Sequence, residues 1–97
     1  MQIDKFFNKL KVAIYKANKK DKRRMLDVSK EIFKKNIENI NYINIVNEYI
    51  INNKITNDEE NMFRSEAYKF LITGTTSVRL DISLDEYSKL SKEVHTV

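Results

Sequence analysis

This chain contains one glycine, no proline and no cysteine in 97 residues, so almost nothing in it interrupts a helix. In a helix interior, glycine costs about 1 kcal/mol and proline about 3 kcal/mol relative to alanine. The single glycine, Gly74, directly follows an amphipathic run over residues 61–73. The sequence therefore predicts one domain, with a helical part over residues 1–74 and a distinct C-terminal tail over residues 75–97.

Four stretches before Gly74 repeat apolar residues at spacings of three and four, which is typical of amphipathic helices in a bundle. We expect these helices to begin near Ile3, Asp21, Tyr42 and Thr56. The third has the broadest apolar arc, so we expect it to be the most buried. The residues expected in the core are Ile3, Phe6, Phe7, Leu10, Ala13, Ile14, Ala17, Met25, Leu26, Val28, Ile32, Phe33, Ile43, Val46, Ile50, Met62, Phe63, Ala67, Phe70 and Leu71.

Helix ends are marked by three patterns. The segments 56–59 and 83–86 have the capping-box form, in which a Ser or Thr and a Glu satisfy each other's free backbone N–H groups. Gly74 is well placed to close the fourth helix in the left-handed conformation. We therefore expect the fourth helix to end at Gly74. From the spacing of apolar residues, we expect the second helix to span about 21–35 and the third 42–53.

Apolar residues alternate strictly from Val78 to Leu84, which predicts a short strand or an extended segment. A single strand would pack alone, pair with another molecule or join a helix. A fifth helix should follow, with Leu84, Tyr87, Leu90 and Val94 facing inward. The expected fold is all-α: an antiparallel four-helix bundle with a C-terminal tail made of a short extended segment and a fifth short helix.

The composition is that of a soluble globular protein, with 41% hydrophobic and 33% charged residues. No run of eighteen apolar residues is present, and the N-terminal residues lack the apolar core of a signal peptide. We therefore expect a cytoplasmic protein.

Residue types needed for catalysis or metal binding are scarce. His95 is the only histidine, and there is no cysteine to join it as a ligand or nucleophile. One glycine is too few for a phosphate-binding loop. The carboxylates at 58–60 and 85–86 stand at helix starts, where capping and the helix dipole explain them. We expect no metal, no cofactor and no enzymatic activity.

Charge is unevenly distributed: residues 1–35 have a net charge of +8, and residues 36–97 a net charge of −4. A basic patch is formed by Lys19, Lys20, Lys22, Arg23 and Arg24. One interpretation is a solvated turn that complements the end of the first helix. The other is a surface for phosphates of DNA or of anionic lipid.

The segment 77–90 resembles the opening of a ribbon-helix-helix repressor, in which alternate strand residues, here Arg79 and Asp81, would enter the major groove of DNA. No clear recognition helix, wing or aromatic interleaving accompanies the basic patch. The resemblance and the basic charge together still leave an alternative function, a small basic DNA-binding or regulatory helical protein of a phage or plasmid system. Only this alternative involves nucleic acid.

A different resemblance covers about residues 3–75. A first helix leads through a charged turn to residues 24–35, then to the apolar helix 42–51, the turn 53–59 and the closing run 65–73. This order of helices in a basic, cysteine-free chain with a separate tail resembles the bacteriocin immunity proteins of the pediocin-like and lactococcin types.

The resemblance implies a non-enzymatic protein that protects a bacteriocin producer from its own pore-forming peptide. Such proteins recognise, from the cytosolic side, the membrane receptor with bound bacteriocin, a mannose phosphotransferase permease. The fourth helix and the tail set which bacteriocin is resisted. By position, that role would fall on Arg79, Asp81, Tyr87 and Lys89. Peripheral location at the inner membrane face and weak association with the membrane surface are compatible with this role.

Overall fold

The computed structural model describes residues 2–36, 40–78, 80 and 82–95, and these residues form five helices and no strand. The first four helices make a bundle, and the fifth follows an irregular segment, so the expected all-α fold is confirmed. The helices are α1 (Gln2–Lys16), α2 (Lys19–Asn36), α3 (Ile40–Asn53), α4 (Asn57–Thr73) and α5 (Leu84–His95).

The central helix is α4, because it packs against each of the other four helices. Its five expected core residues are buried, and so are Ser65, Glu66 and Tyr68. The prediction that the third helix is the most buried is wrong: in α3 the buried residues are Val46, Tyr49 and Ile50. A helix with neighbours on several sides buries polar as well as apolar residues. The width of its apolar face therefore predicts fewer buried residues than the helix has.

Aromatic rings join α1, α3 and α4 in the core. Phe6 stacks on Phe70 with 4.0 Å between ring centroids, and Phe7 lies edge-on to Tyr49 at 4.8 Å and to Phe63 at 5.8 Å. Such pairs contribute about 0.5–1.5 kcal/mol beyond their buried area. The predicted α1 stripe is confirmed for Ile3, Phe6, Phe7, Leu10 and Ile14, which are all buried.

Two helices begin earlier than the sequence predicts. α2 begins at Lys19 because Asn18 caps it: the Asn18 Oδ1 atom accepts the Asp21 N–H at 2.8 Å, and the Asn18 carbonyl accepts the Lys22 N–H at 2.9 Å. α3 begins at Ile40 rather than near Tyr42. The predicted joint between these helices includes residues 37–39, which lie outside the described residues.

The predicted end of α4 is confirmed. Gly74 has φ 77° and ψ 9°, in the left-handed region, and its N–H donates to the Phe70 carbonyl at 2.7 Å. This backbone bond satisfies one of the carbonyls that a helix C-terminus leaves without a partner.

The two predicted capping boxes differ. Ser83 caps α5, since its Oγ atom accepts the Glu86 N–H at 3.2 Å. At α4 the prediction is wrong: Thr56 makes no side-chain capping bond, although its carbonyl accepts the Glu59 N–H. The Glu59 carboxylate lies instead 3.5 Å from the Lys22 Nζ atom, a partner on α2 that a local pattern does not include.

Candidate functional site

Between Gly74 and α5, the described residues (75–78, 80, 82 and 83) form no helix; we call residues 75–83 the linker segment. Its described apolar residues, Val78, Leu80 and Ile82, are partly buried and pack against the core. The alternation in the sequence thus corresponds to burial of one side of the chain, and none of the described linker residues is in a strand. Leu84, predicted to face inward, is 85% exposed, because the chain enters α5 at that residue.

A buried carboxylate fastens the linker segment to the bundle. Glu66 on α4 has no solvent exposure; its Oε1 atom accepts the Ser29 hydroxyl of α2 at 3.3 Å, and its Oε2 atom accepts the Ser77 N–H at 2.8 Å. Lys69, one turn further along α4, donates to the Ser77 hydroxyl at 3.2 Å. We call Ser29, Glu66, Lys69 and Ser77 the tail anchor.

Sequence reasoning missed the tail anchor, although one signal for it was present. Glu66 lies four residues after Met62 and four before Phe70, in the middle of the predicted apolar stripe of α4. A carboxylate at such a position requires hydrogen-bond donors, because burying an unpaired charge is costly. The donors could not be identified from the sequence, since Ser29 and Ser77 are distant along the chain.

α5 closes the tail back onto the bundle, where it packs against α1 and α4. Leu90 is buried, as predicted, with 2% exposure. The carboxylate of Glu86 forms ion pairs with two lysines of α1. Its Oε1 atom lies 3.4 Å from the Lys5 Nζ atom, and its Oε2 atom lies 3.7 Å from the Lys9 Nζ atom. Both ion pairs are partly exposed, so each adds only about 0–1 kcal/mol to the packing of α5 on α1.

Of the four predicted partner-binding residues, the structure describes the side chain of Lys89 alone. Arg79 and Asp81 lie outside the described residues. Tyr87 is in α5, but its side chain is outside the described part of the structure. Lys89, two residues further along the same helix, is exposed. These four positions therefore remain candidates that follow from the tail's position.

The basic patch is part of a helix rather than a turn, which corrects one interpretation. Its five residues belong to the first turns of α2, and all except Lys22 are exposed. Lys22 is paired with Glu59, and Arg24 is 3.9 Å from Asp21. Cations at the positive end of a helix dipole are not stabilised by it, so the dipole adds to the positive potential of the patch.

A polar network joins α1 to the end of α3. The Tyr49 hydroxyl donates to the Asn8 Oδ1 atom at 2.5 Å, and the Asn53 side chain donates to the Tyr49 carbonyl at 3.0 Å. Burial, together with the negative charge of Asp4, raises the pKa of Tyr49 to about 12. Lys11 donates to the Asn53 carbonyl at 3.0 Å.

An open groove of about 700 Å³ lies beside this network, between α1 and the turn that joins α3 to α4. We call it the α1 groove. Its size is within the range of ligand sites, about 300–1,000 Å³. It is lined by Asn8, Lys11, Val12, Tyr15, Lys16, Lys54, Ile55, Thr56 and Glu59.

Within the described ranges, no three His, Asp or Glu side chains are grouped as a metal site would require. None of the described helices is both long enough and apolar enough to cross a membrane. Comparisons of the chain with protein-family models, with curated proteins and with solved structures give no match.

Proposed function

We propose that this chain is a non-enzymatic bacteriocin immunity protein that acts in the cytoplasm, where it recognises a membrane receptor of the mannose phosphotransferase permease type with bound bacteriocin. The observation that carries the proposal is the tail anchor, which holds the C-terminal tail against a four-helix bundle. The helix order over residues 3–75 resembles the same class of proteins.

The tail anchor explains how a short tail could act as a recognition surface. A free segment loses conformational entropy when it binds, whereas a segment already fixed to a scaffold loses less. Glu66 accepts hydrogen bonds from α2 and from the linker segment, and Leu90 fixes α5 to the core. The described part of the tail is therefore preorganised, with Lys89 exposed for contact with a partner.

The basic patch supports a location at the inner face of the membrane, which this function requires. Lys19, Lys20, Arg23 and Arg24 are exposed on one helix, and each basic residue near an anionic membrane contributes about 1 kcal/mol of attraction. Weak attraction of this kind would concentrate the protein at the inner face of the membrane, where the receptor is accessible.

The test is expression in a bacteriocin-sensitive strain, challenged with a bacteriocin encoded beside the gene. We expect growth in the presence of the peptide, and loss of protection in a variant truncated after Gly74. Alanine at Arg79, Asp81, Tyr87 or Lys89 should reduce protection, whereas Lys34→Ala, an exposed change on α2, should not. Failure of the intact chain to protect against any neighbouring bacteriocin would refute the proposal.

A small basic DNA-binding or regulatory protein is the second candidate, and the exposed basic patch favours it. Binding through phosphates would weaken with salt, with a slope of log K against log salt of about −0.9 per phosphate contacted. Lys19→Gln together with Lys20→Gln should reduce that slope by about 2 if both residues contact phosphates. No binding to duplex DNA at low salt would exclude this candidate.

A further inference from the structure

The α1 groove combines apolar and cationic side chains in a way that packing of the bundle does not explain. Val12 and Tyr15 lie one turn apart on α1, and they are 49% and 75% exposed. Ile55, from the turn between α3 and α4, forms the opposite apolar side and is half-buried. Exposed apolar groups that adjoin one another in a concave surface are typical of interaction sites.

The charge around this apolar strip is positive. Lys11, Lys16 and Lys54 line the groove, while the carboxylate of Glu59 is paired with Lys22. Lys11 donates to a backbone carbonyl, which is a neutral acceptor. Lys16 and Lys54 make no hydrogen bond or ion pair with any described residue. Beyond Lys16 the basic patch begins at Lys19.

The shape of the groove favours a peptide over a membrane surface. The apolar residues lie between a helix and a turn, so a flat bilayer would contact Tyr15 more readily than Ile55. A helix of a partner is convex and narrow, and its apolar side chains can reach both walls, as in helix-in-groove recognition. The lining residues of α1 extend from Asn8 to Lys16, a length of about 12 Å or two helical turns.

We propose that the α1 groove binds an acidic amphipathic helix of a partner protein, with its apolar face on Val12, Tyr15 and Ile55 and its carboxylates near Lys11, Lys16 and Lys54. The charge complementarity of the lysines specifies an acidic partner. This proposal is independent of the immunity function, because the groove lies on α1 and the α3–α4 turn and not on the tail.

Fluorescence anisotropy with a designed probe tests the proposal. The probe is a labelled peptide of ~15 residues, long enough to form a helix, with leucine on one face and glutamate on the other. At about 0.15 M salt, where the Debye length is ~8 Å, we expect saturable binding. Replacing the glutamates by lysine, or the leucines by glutamine, should abolish binding, since the groove requires both features.

Variants of the protein locate the binding site. Lys16→Glu with Lys54→Glu should weaken binding at least about fivefold, because attraction at two positions becomes repulsion. The control, Lys30→Glu with Lys34→Glu on α2, changes the net charge equally and should alter affinity less than about twofold at this salt concentration. Likewise, Val12→Gln should weaken binding, whereas Ile72→Gln, also an exposed apolar residue, should not.

Equal effects of the groove and control variants would overturn the proposal, as would absence of saturable binding to the probe. Vesicles of phosphatidylglycerol give the remaining comparison. If the vesicles bind the protein through Val12 and Lys16 while the peptide does not, the groove is a membrane contact and the peptide proposal is wrong. Circular dichroism and denaturation of each variant verify that the fold is retained.

Discussion

Glu66 and Ser77 are joined across Gly74 by a hydrogen bond of 2.8 Å from the Ser77 N–H to the Glu66 Oε2 atom. The bond connects the most central helix of the bundle to the first residues after its end. Because Glu66 is fully buried and also accepts the Ser29 hydroxyl, the same carboxylate couples α2, α4 and the linker segment.

Removing this carboxylate should destabilise the bundle and release the tail. Glu66→Ala leaves the Ser29 hydroxyl and the Ser77 N–H without their acceptor, and we expect a loss of about 2–4 kcal/mol in the free energy of unfolding. Urea denaturation measures the loss, and amide hydrogen exchange at Ser77 should become faster, because its N–H loses the Glu66 acceptor. Glu48→Ala, an exposed change on α3, should stay within about 0.5 kcal/mol of the wild type.

The left-handed backbone of Gly74 predicts a second cost. Gly74→Ala places a Cβ atom at φ 77° and should lower the free energy of unfolding by about 1 kcal/mol. Gly74→Asn should cost less, because asparagine adopts this conformation more readily. Lys54 also has a positive φ, 50°, so Lys54→Gly should not destabilise in the same way. Chemical denaturation of the three variants compares these effects, and an equal loss for Ala and Asn would contradict the conformational explanation.

Alanine substitution at Phe70 should lower the free energy of unfolding more than alanine substitution at Ile43, although the sequence placed both residues in the predicted core. Phe70 is 7% exposed and stacks on Phe6, so Phe70→Ala should cost about 3–5 kcal/mol. Ile43 is only partly buried, and Ile43→Ala should cost less than about 2 kcal/mol. Denaturation midpoints with unchanged m-values provide the measurement. Equal losses would show that α3 is as central as α4.

Stability should fall at high pH because of Tyr49. Its pKa is about 12 in the folded protein against 10.0 for an unperturbed tyrosine, since burial and Asp4 disfavour the tyrosinate. Between these values the unfolded chain loses the proton while the folded protein keeps it. Stability is therefore fully present below pH 10 and decreases as the pH rises toward 12, by about 1–2 kcal/mol in total, because partial solvation of the hydroxyl reduces the cost of its ionisation.

The variant Tyr49→Phe tests this pH dependence. It removes the hydroxyl that donates to Asn8 and should reduce the decrease in stability across that pH range. Tyr15→Phe is the matched control, because the Tyr15 side chain is 75% exposed. Urea denaturation at a series of pH values gives the comparison. If Tyr49→Phe has the same pH dependence as the wild type, burial of Tyr49 is not its cause.

Much of the helical architecture was predictable from local patterns. The α1 stripe was correct because residues at spacings of three and four share one face of a helix, whatever they pack against. Gly74 was correct as a helix end because the left-handed conformation depends on the residue itself. The Asn18 cap was missed because the lysines after it were interpreted as a solvated turn, although Asn is a favoured capping residue.

The linker segment shows where a pattern identifies burial but not local structure. The alternation at Val78, Leu80 and Ile82 correctly indicated that one side of the chain faces apolar neighbours. A strand also needs a hydrogen-bonding partner strand, and a pattern of side chains contains no information about that partner. The same limit applies to Thr56 and Glu59, since the pairing of Glu59 with Lys22 depends on how α2 packs beside α4.

The sequence by itself determined the helices, the end of α4 at Gly74 and the uneven distribution of charge, because these depend on residue type and on spacing over a few turns. Only the tertiary structure decided that α4 is central, that Glu66 is buried with Ser29 and Ser77 as donors, and that Val12, Tyr15 and Ile55 line one groove. The physical reason is that burial and hydrogen bonding of these residues come from contacts between segments far apart in the chain. Gly74 therefore ends a helix by its own conformation, whereas the position of Ser77 after it depends on the hydrogen bond to Glu66.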